Sequence, residues 1–306
     1  MLLFTWLGSL ELKEGLVAKV LGVLGIIMVF GMFSLLAQNI SVDQDLPSYQ
    51  RVRGVSGSLN SAGSDTMNNL MTFWAESFRK FYFGVKVQVD GKGSSTAPPA
   101  LIEGTAQFGS MSRAMRSTEI DQFYDEFRYS PTQFRVAVDA LVVFVDKDNP
   151  VECLTLEQLD SIFSSSRRRN YPVVETWGDL GLAGDLANRS ISIYGRNSAS
   201  GTYGFFKERV LQNGDYKNTV KEQPGSASVV QSVGSEVSAI GYSGIGYITS
   251  NVRVVPLAET QSASCVEATQ ESVLNGEYTL SRYLYLYINK APNTPLDPLV
   301  REFVTF

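Results

Sequence analysis

Three short turns in this chain concentrate glycines, hydroxyls and one cation in a pattern that could hold an anion. They read Ala62-Gly63-Ser64-Asp65-Thr66, Gly91-Lys92-Gly93-Ser94-Ser95-Thr96 and Arg196-Asn197-Ser198-Ala199-Ser200-Gly201-Thr202. Each stands after a strand-like run and before a helix-like one. The start of a helix presents unpaired backbone N–H groups and a partial positive charge. Glycine lets the backbone come close, and Ser and Thr add hydroxyl donors, which together make an anion site. Taken alone, any one of these turns is explained as well by ordinary helix capping. Three in one chain, one with Arg196 four residues ahead of Ser200-Gly201-Thr202, shift the balance toward anion binding.

The elements that must position these turns can be read from periodicity. Apolar and aromatic residues Leu70, Met71, Phe73, Trp74, Phe78 and Phe81 recur at helical spacing and predict a helix over 67–83. Residues 85–89 alternate as a strand, 94–104 read as a loop opening a short helix, and 107–110 read as a short strand. A helix is expected over 117–127, opened by Ser117 or Thr118 with Glu119 and Asp121 in its first turn. Residues 135–145 are β-rich, and Thr155 reads as the cap of a helix over 154–163. Further strands are expected at 190–194, 239–242 and 283–288, with helices over 203–211, 227–233 and 296–306. This alternation argues for α/β lobes with mainly parallel pairing. The stretch 282–287, RYLYLY, is expected to pair with 137–145 in the core or between lobes.

The 306 residues suffice for two ordinary domains, and 44% hydrophobic with 19% charged residues reads as globular. A net charge of −5 gives nucleic acid or an anionic membrane surface no general attraction, so local donors must hold any anion against the overall field. There is no histidine. That removes Ser-His-Asp and Cys-His catalysis and histidine-ligated zinc. Two cysteines, Cys153 and Cys265, are too few for a Cys-rich metal site; whether they pair is open. Arg167-Arg168-Arg169 reads as a solvated loop. Tyr242-Ser243-Gly244 lacks both the closing glycine and the histidine of a hydrolase elbow, and Gly91-Lys92-Gly93 lacks the hydroxyl residue a P-loop needs.

In order, the segments SAGSDT, GKGSST, FGSMSR, GRNSASGTYGFF and AIGYSGIGY resemble the phosphate-binding proteins of bacterial high-affinity phosphate ABC transporters. The stretch LSRYLYLYINKAPNTPLDPLVREF is similar to that family's end region, so the likeness spans 58–306. It implies a two-lobe periplasmic binding protein of type II arrangement, α/β with mainly parallel sheets flanked by helices, that dehydrates inorganic phosphate between its lobes. It also implies donors from Ser64, Asp65, Thr66 and Ser94, a charge-assisted contact from Arg196, and closure of the second lobe by Ser200, Gly201 and Thr202. Some members place an aspartate in the Phe-Gly-x-x segment, where this chain has Ser112 followed by Arg113; both are counted with the site. Ser198 similarly stands where some members have an acid. Asp65 is then the expected proton acceptor, with capping of the 67–83 helix an equal alternative. Arg113 either touches the anion or anchors Asp65.

The implied protein is not an enzyme. It needs no cofactor or metal, works as a monomer without nucleic acid, and hands phosphate to a membrane permease. The alternatives are a binder of sulfate or molybdate and, further off, a phosphatase-type enzyme. Residues 1–40, with an uncharged run over 20–37, read as a signal peptide or a retained membrane anchor, which places the rest in the periplasm. Residues 41–56 read as a linker, 57–139 plus 285–306 as one lobe and 140–284 as the other. Family members continue for about another helix, so the chain reads as ending short.

Overall fold

The computed structural model describes residues 45–306. The expected signal peptide or anchor lies outside the described residues, among which no helix is long and apolar enough to cross a membrane. Residues Tyr49–Phe306 form one compact unit.

The chain opens with strand β1 (Gly57–Gly63), helix α1 (Asn68–Phe81), strand β2 (Val85–Asp90), helix α2 (Ala97–Ile102) and strand β3 (Phe108–Met111). Helix α3 (Ser117–Phe127) then leads into the long strand β4 (Thr132–Asp146). In α1, Met71, Ala75 and Phe78 are buried at the spacing of one helical face. Phe73 was expected on that face but is 65% exposed, because it stands two residues from Met71 and therefore on the opposite side. The short strand β5 (Leu154–Thr155) precedes helix α4 (Leu156–Phe163). Thr155 caps α4 as expected: its hydroxyl accepts from Gln158 N–H at 3.1 Å while Gln158 Oε1 accepts from Thr155 N–H at 2.8 Å.

Strand β6 (Ser192–Arg196), helix α5 (Gly201–Arg209), strand β7 (Lys221–Gln223), helix α6 (Ser226–Val233) and strand β8 (Ala239–Gly244) follow. Short strands β9 (Val252–Val254) and β10 (Leu257–Ala258), helix α7 (Gln270–Leu274), strand β11 (Ser281–Ile288) and helix α8 (Pro298–Thr305) complete the chain. Among the described residues nine strands join one sheet in the order β2-β1-β3-β11-β4-β8-β6-β7, with β9 also on β4. The outer strands pair in parallel on both sides, β2-β1-β3 and β8-β6-β7. Between them β4 and β11 run antiparallel.

The pairing of RYLYLY differs from expectation over half its length. β11 pairs with residues Thr132 through Ala140 of β4, whereas Leu141 through Val145 pair with β8. β4 therefore changes partner in mid-strand, and its burial changes with it. Its first half is partly exposed, while everything from Asp139 to Asp146 is buried, as befits a strand covered on both faces. Three apolar clusters flank this changeover. One gathers Leu141 to Val145, Trp177, Phe206, Ile240 and Leu280; the others gather Met71, Phe78, Phe108, Leu284 and Phe303, and Leu101, Phe123 and Tyr287.

Cys153 and Cys265, left open by the sequence, form a disulfide with a Cα–Cα distance of 6.2 Å beside the β5–β10 pair. The Arg167–Arg169 run is less free than a solvated loop. Arg169 donates to the carbonyls of Val210 and Arg209, and Arg168 to that of Gln212, tying the loop to the end of α5.

Candidate functional site

All three small-residue turns meet at the junction of the two parallel strand groups. At Gly63 the backbone has φ +142°, and a Cβ there would lie 1.9 Å from the Ser110 carbonyl oxygen. Only glycine lets β1 close onto β3 this tightly, and it delivers Ser64 N–H to Ser110 O at 2.7 Å. Gly93, at φ +121°, does the same across the junction, where a Cβ would meet the Ala199 carbonyl at 2.5 Å. Ser95 N–H donates to that carbonyl at 3.1 Å, so the second turn and the arginine turn touch.

The serines converge on the start of α5. A Cβ on Gly201 would lie 2.3 Å from Ser94 Oγ and 2.6 Å from Ser112 Oγ, so both hydroxyls sit directly over the first residue of that helix. Ser112 N–H donates to Ser94 Oγ at 3.1 Å, and the two hydroxyl oxygens stand 3.4 Å apart. Ser200 caps the helix by accepting from Thr202 N–H at 3.1 Å, and Thr202 Oγ1 lies 2.9 Å from Thr66 Oγ1. Ser64, Ser94, Ser112, Ser200 and Thr202 are all buried.

Arg196 ends β6 and is 1% exposed. Its Nη1 donates to Ser226 Oγ at 2.7 Å and its Nη2 to Pro224 O at 3.1 Å, both neutral acceptors. Asp65 Oδ2 stands 3.2 Å from Nη1, while Arg196 Nε has no hydrogen-bond partner. Burial pushes the guanidinium below its ordinary pKa, against the pull of Asp65. An arginine remains charged under such a shift, so a buried cation stands at the end of β6 with one nitrogen unpartnered.

Asp65 does not cap its own helix. Its Oδ2 accepts from Ser226 N–H at 2.7 Å, at the start of α6, and Tyr247 donates to its main-chain carbonyl at 2.6 Å. Nor does Arg113 anchor Asp65. Arg113 donates to both oxygens of Glu119 at 2.6 and 2.8 Å, and to Ala114 O at 2.9 Å. A carboxylate six residues away, raised on the first turn of α3, offers a bidentate partner that Asp65, already engaged by Arg196 and Ser226, does not. Burial works to raise the Glu119 pKa, but the hydrogen bonds and charge of Arg113, with the Arg116 N–H, outweigh it and hold the carboxyl below its usual range.

Sequence reasoning missed a second buried ion pair. Arg282 of β11 donates through Nε and Nη2 to Asp139 Oδ2 of β4 at 3.0 and 2.8 Å, and Nη2 also donates to Thr202 Oγ1 at 3.0 Å. Arg282 Nη1 and Ser243 Oγ have no partner. The missed signal was one of parity: Arg282 shares the buried face of its strand with Leu284 and Leu286, where a charge must have a partner. Among the described residues no group of three or more Cys, Asp or Glu is placed to hold a metal ion.

This arrangement collects hydroxyls, helix-start amides and a buried guanidinium with spare capacity. A family model of the PBP superfamily domain matches residues 50–306. The phosphate-binding protein PstS of Pseudomonas aeruginosa is 54% identical over 265 residues, covering 86% of this chain and 82% of that one. PstS of Staphylococcus saprophyticus is 29% identical over 238 residues, 76% of this chain and 70% of that one. A crystal structure from Clostridium perfringens, described as a phosphate ABC transporter substrate-binding protein with bound phosphate, superposes with TM-score 0.68 at 26% identity. It covers 81% of this chain and 92% of that one. An ABC-type phosphate transport receptor from Vibrio cholerae shares the fold at TM-score 0.61 and 22% identity, over 81% of this chain and 92% of that one. Its relatives are substrate-binding proteins, and the chain itself belongs to the PBP superfamily and, within it, to the family of PstS phosphate-binding proteins.

Proposed function

We propose that this protein captures inorganic phosphate outside the cytoplasm and presents it to the permease of an ABC transporter, by binding alone and as a monomer. The observation that carries this reading is Arg196: buried, with Nε unpartnered, at the end of β6 four residues ahead of the Ser200-Gly201-Thr202 helix start. Ser64, Thr66, Ser94 and Ser112 complete the donor set from the other side, and Asp65 accepts the proton of a singly or doubly ionised phosphate. Sulfate, fully ionised, has no proton to give Asp65 and is rejected. Charge-assisted bonds in a water-excluded site offset the cost of dehydrating the anion. Arg113, held by Glu119, supports the Ser112 turn from behind.

Two lobes, 57–139 with 285–306 and 140–284, close over the anion. Support for this division comes from the change of partner within β4 and from the separate apolar clusters on either side of it. Only the closed arrangement lets both donor sets reach one anion, so binding selects it.

Calorimetric titration of the full chain, stripped of bound anion, tests the reading. Tight one-to-one phosphate binding that persists in excess sulfate is expected. A folded sample that binds no phosphate would overturn it.

A further inference from the structure

A second cleft, of about 360 Å³, opens one turn along α5 from the serines. Three guanidinium groups line it: Arg113 and Arg116 at the entry to α3, and Arg282 on β11. Phe205, Tyr283 and Tyr285 supply aromatic walls. Arg282 is stacked over Phe205, with its guanidinium carbon 5.5 Å from the ring centre, and Arg135 stacks over Tyr283 at 4.5 Å. These cation–π contacts hold the rings in place.

The charges here are unevenly matched. Glu119 neutralises Arg113 and Asp139 neutralises Arg282. Arg116 is exposed and makes no ion pair among the described residues, and Glu208 is the remaining carboxylate on the lining. Gly204 leaves the floor open: a Cβ there would lie 3.4 Å from Arg116 Nη2 and 3.8 Å from Arg113 Nε. Arg113 Nε and Arg282 Nη1, on residues more than nine-tenths buried, have no hydrogen-bond partner. Neither atom is itself exposed to the cleft, but both belong to guanidinium groups on its wall that their carboxylates leave incompletely satisfied.

The geometry points to a second anion site in this cleft, for a small organic anion whose carboxylate or phosphate head meets Arg116 over Gly204 while a flat body lies among Phe205, Tyr283 and Tyr285. The volume suits a single ring with one charged head. The site is distinct from the serine cluster, yet α5 belongs to both. Its first residues, Gly201 and Thr202, form the floor of one, and its next turn, Gly204 and Phe205, lines the other. Arg113 and Arg116 reach it from the opposite side of the junction, so an anion there favours the same closed arrangement. The second site and inorganic phosphate then strengthen one another's binding, by the same factor in both directions. That coupling rests on the phosphate reading above; the existence of the site does not.

The test uses the full chain with inorganic phosphate held saturating. Phenyl phosphate, benzoate and neutral benzamide are titrated by calorimetry. One-to-one binding of at least one of the two anions is expected, with benzamide at least tenfold weaker, and the preferred head identifies phosphate ester or carboxylate. Arg116→Gln weakens that binding at least tenfold while inorganic phosphate affinity stays unchanged, and Glu208→Gln strengthens it. Failure of both anions to bind, competition with inorganic phosphate, or binding that survives Arg116→Gln would each overturn the second site. If inorganic phosphate itself does not bind, the same titrations without it still read the second site, so the two failures are separable.

Discussion

Arg196 and Arg113 are both buried, both stand next to serine-bearing turns, and both were expected near the anion, yet the structure treats them differently. Arg113 is held through both Glu119 oxygens, at 2.6 and 2.8 Å, although Oε2 also accepts from Arg116 N–H at 2.8 Å. Arg196 shares its carboxylate: Asp65 Oδ2 accepts from Ser226 N–H at 2.7 Å and stands farther off, 3.2 Å, from the guanidinium. Its shorter contacts go to a hydroxyl and a carbonyl, which satisfy hydrogen bonds without cancelling charge. An arginine is available to a ligand when its own acid meets it through one shared oxygen rather than two. Burial and proximity alone do not tell a binding cation from a structural one.

The comparison breaks most visibly if Arg196 is removed. Arg196→Gln is expected to lower phosphate affinity at least ~100-fold, about 3 kcal/mol, in the calorimetric titration. A loss of threefold or less would mean that Arg196 is as structural as Arg113. Arg113→Gln should do the reverse. Leaving the partly buried Glu119 with only the Arg116 N–H costs about 2 kcal/mol of stability in urea unfolding, while phosphate affinity stays within about threefold. A large affinity loss without destabilisation would restore Arg113 to the anion's contacts.

Asp65→Asn sharpens the comparison. The amide still accepts from Ser226 N–H, but it cannot take a proton from phosphate or repel sulfate. The ratio of phosphate to sulfate affinity is expected to narrow by about tenfold, ~1.4 kcal/mol. An unchanged ratio would leave Asp65 as no more than the cap of α6. The smallest effect is on the acid limb of stability. Glu119 has its carboxyl lowered in the folded protein, so its stabilisation is complete above the unfolded value of about 4.3 and is lost as pH falls through the lower folded value. Stability of the native protein should therefore fall more steeply below about pH 4 than that of Arg113→Gln, in which only Arg116 still lowers Glu119. Parallel acid limbs would show that the pair adds nothing beyond its packing.

What could be read from the sequence was what depends on neighbours along the chain. The glycine-hydroxyl turns at Ser64, Ser94 and Ser200 and the Thr155 cap are local chemistry, and each stands where its pattern put it. Partner choice over long separations was not legible. Asp65 and Ser226 are 161 residues apart and Asp139 and Arg282 are 143 apart, and several acids could have served each cation. Arg113 shows the other side of this: an acid six residues away wins over one that only the fold brings near. Phe73 was misassigned because an aromatic-rich helix offers more apolar residues than one face can bury. Where β4 exchanges β11 for β8 could not be seen in a continuous apolar run, because both halves satisfy the same pattern.

The disulfide has a consequence for a chain that has been cut. Cys153 and Cys265 are 112 residues apart, and the loop they close carries β5 to β10 and helices α4 to α6. Exposed loop residues such as Ser165, Ser166 and Arg168 lie inside that loop, where a protease would first cut. A single nick there yields two polypeptides still joined as one molecule, with the strands of β8-β6-β7 held in their sheet by both hydrogen bonds and a covalent tether. Such a clipped protein runs intact until the disulfide is reduced, so one cut in this loop need not end the working life of the binding site.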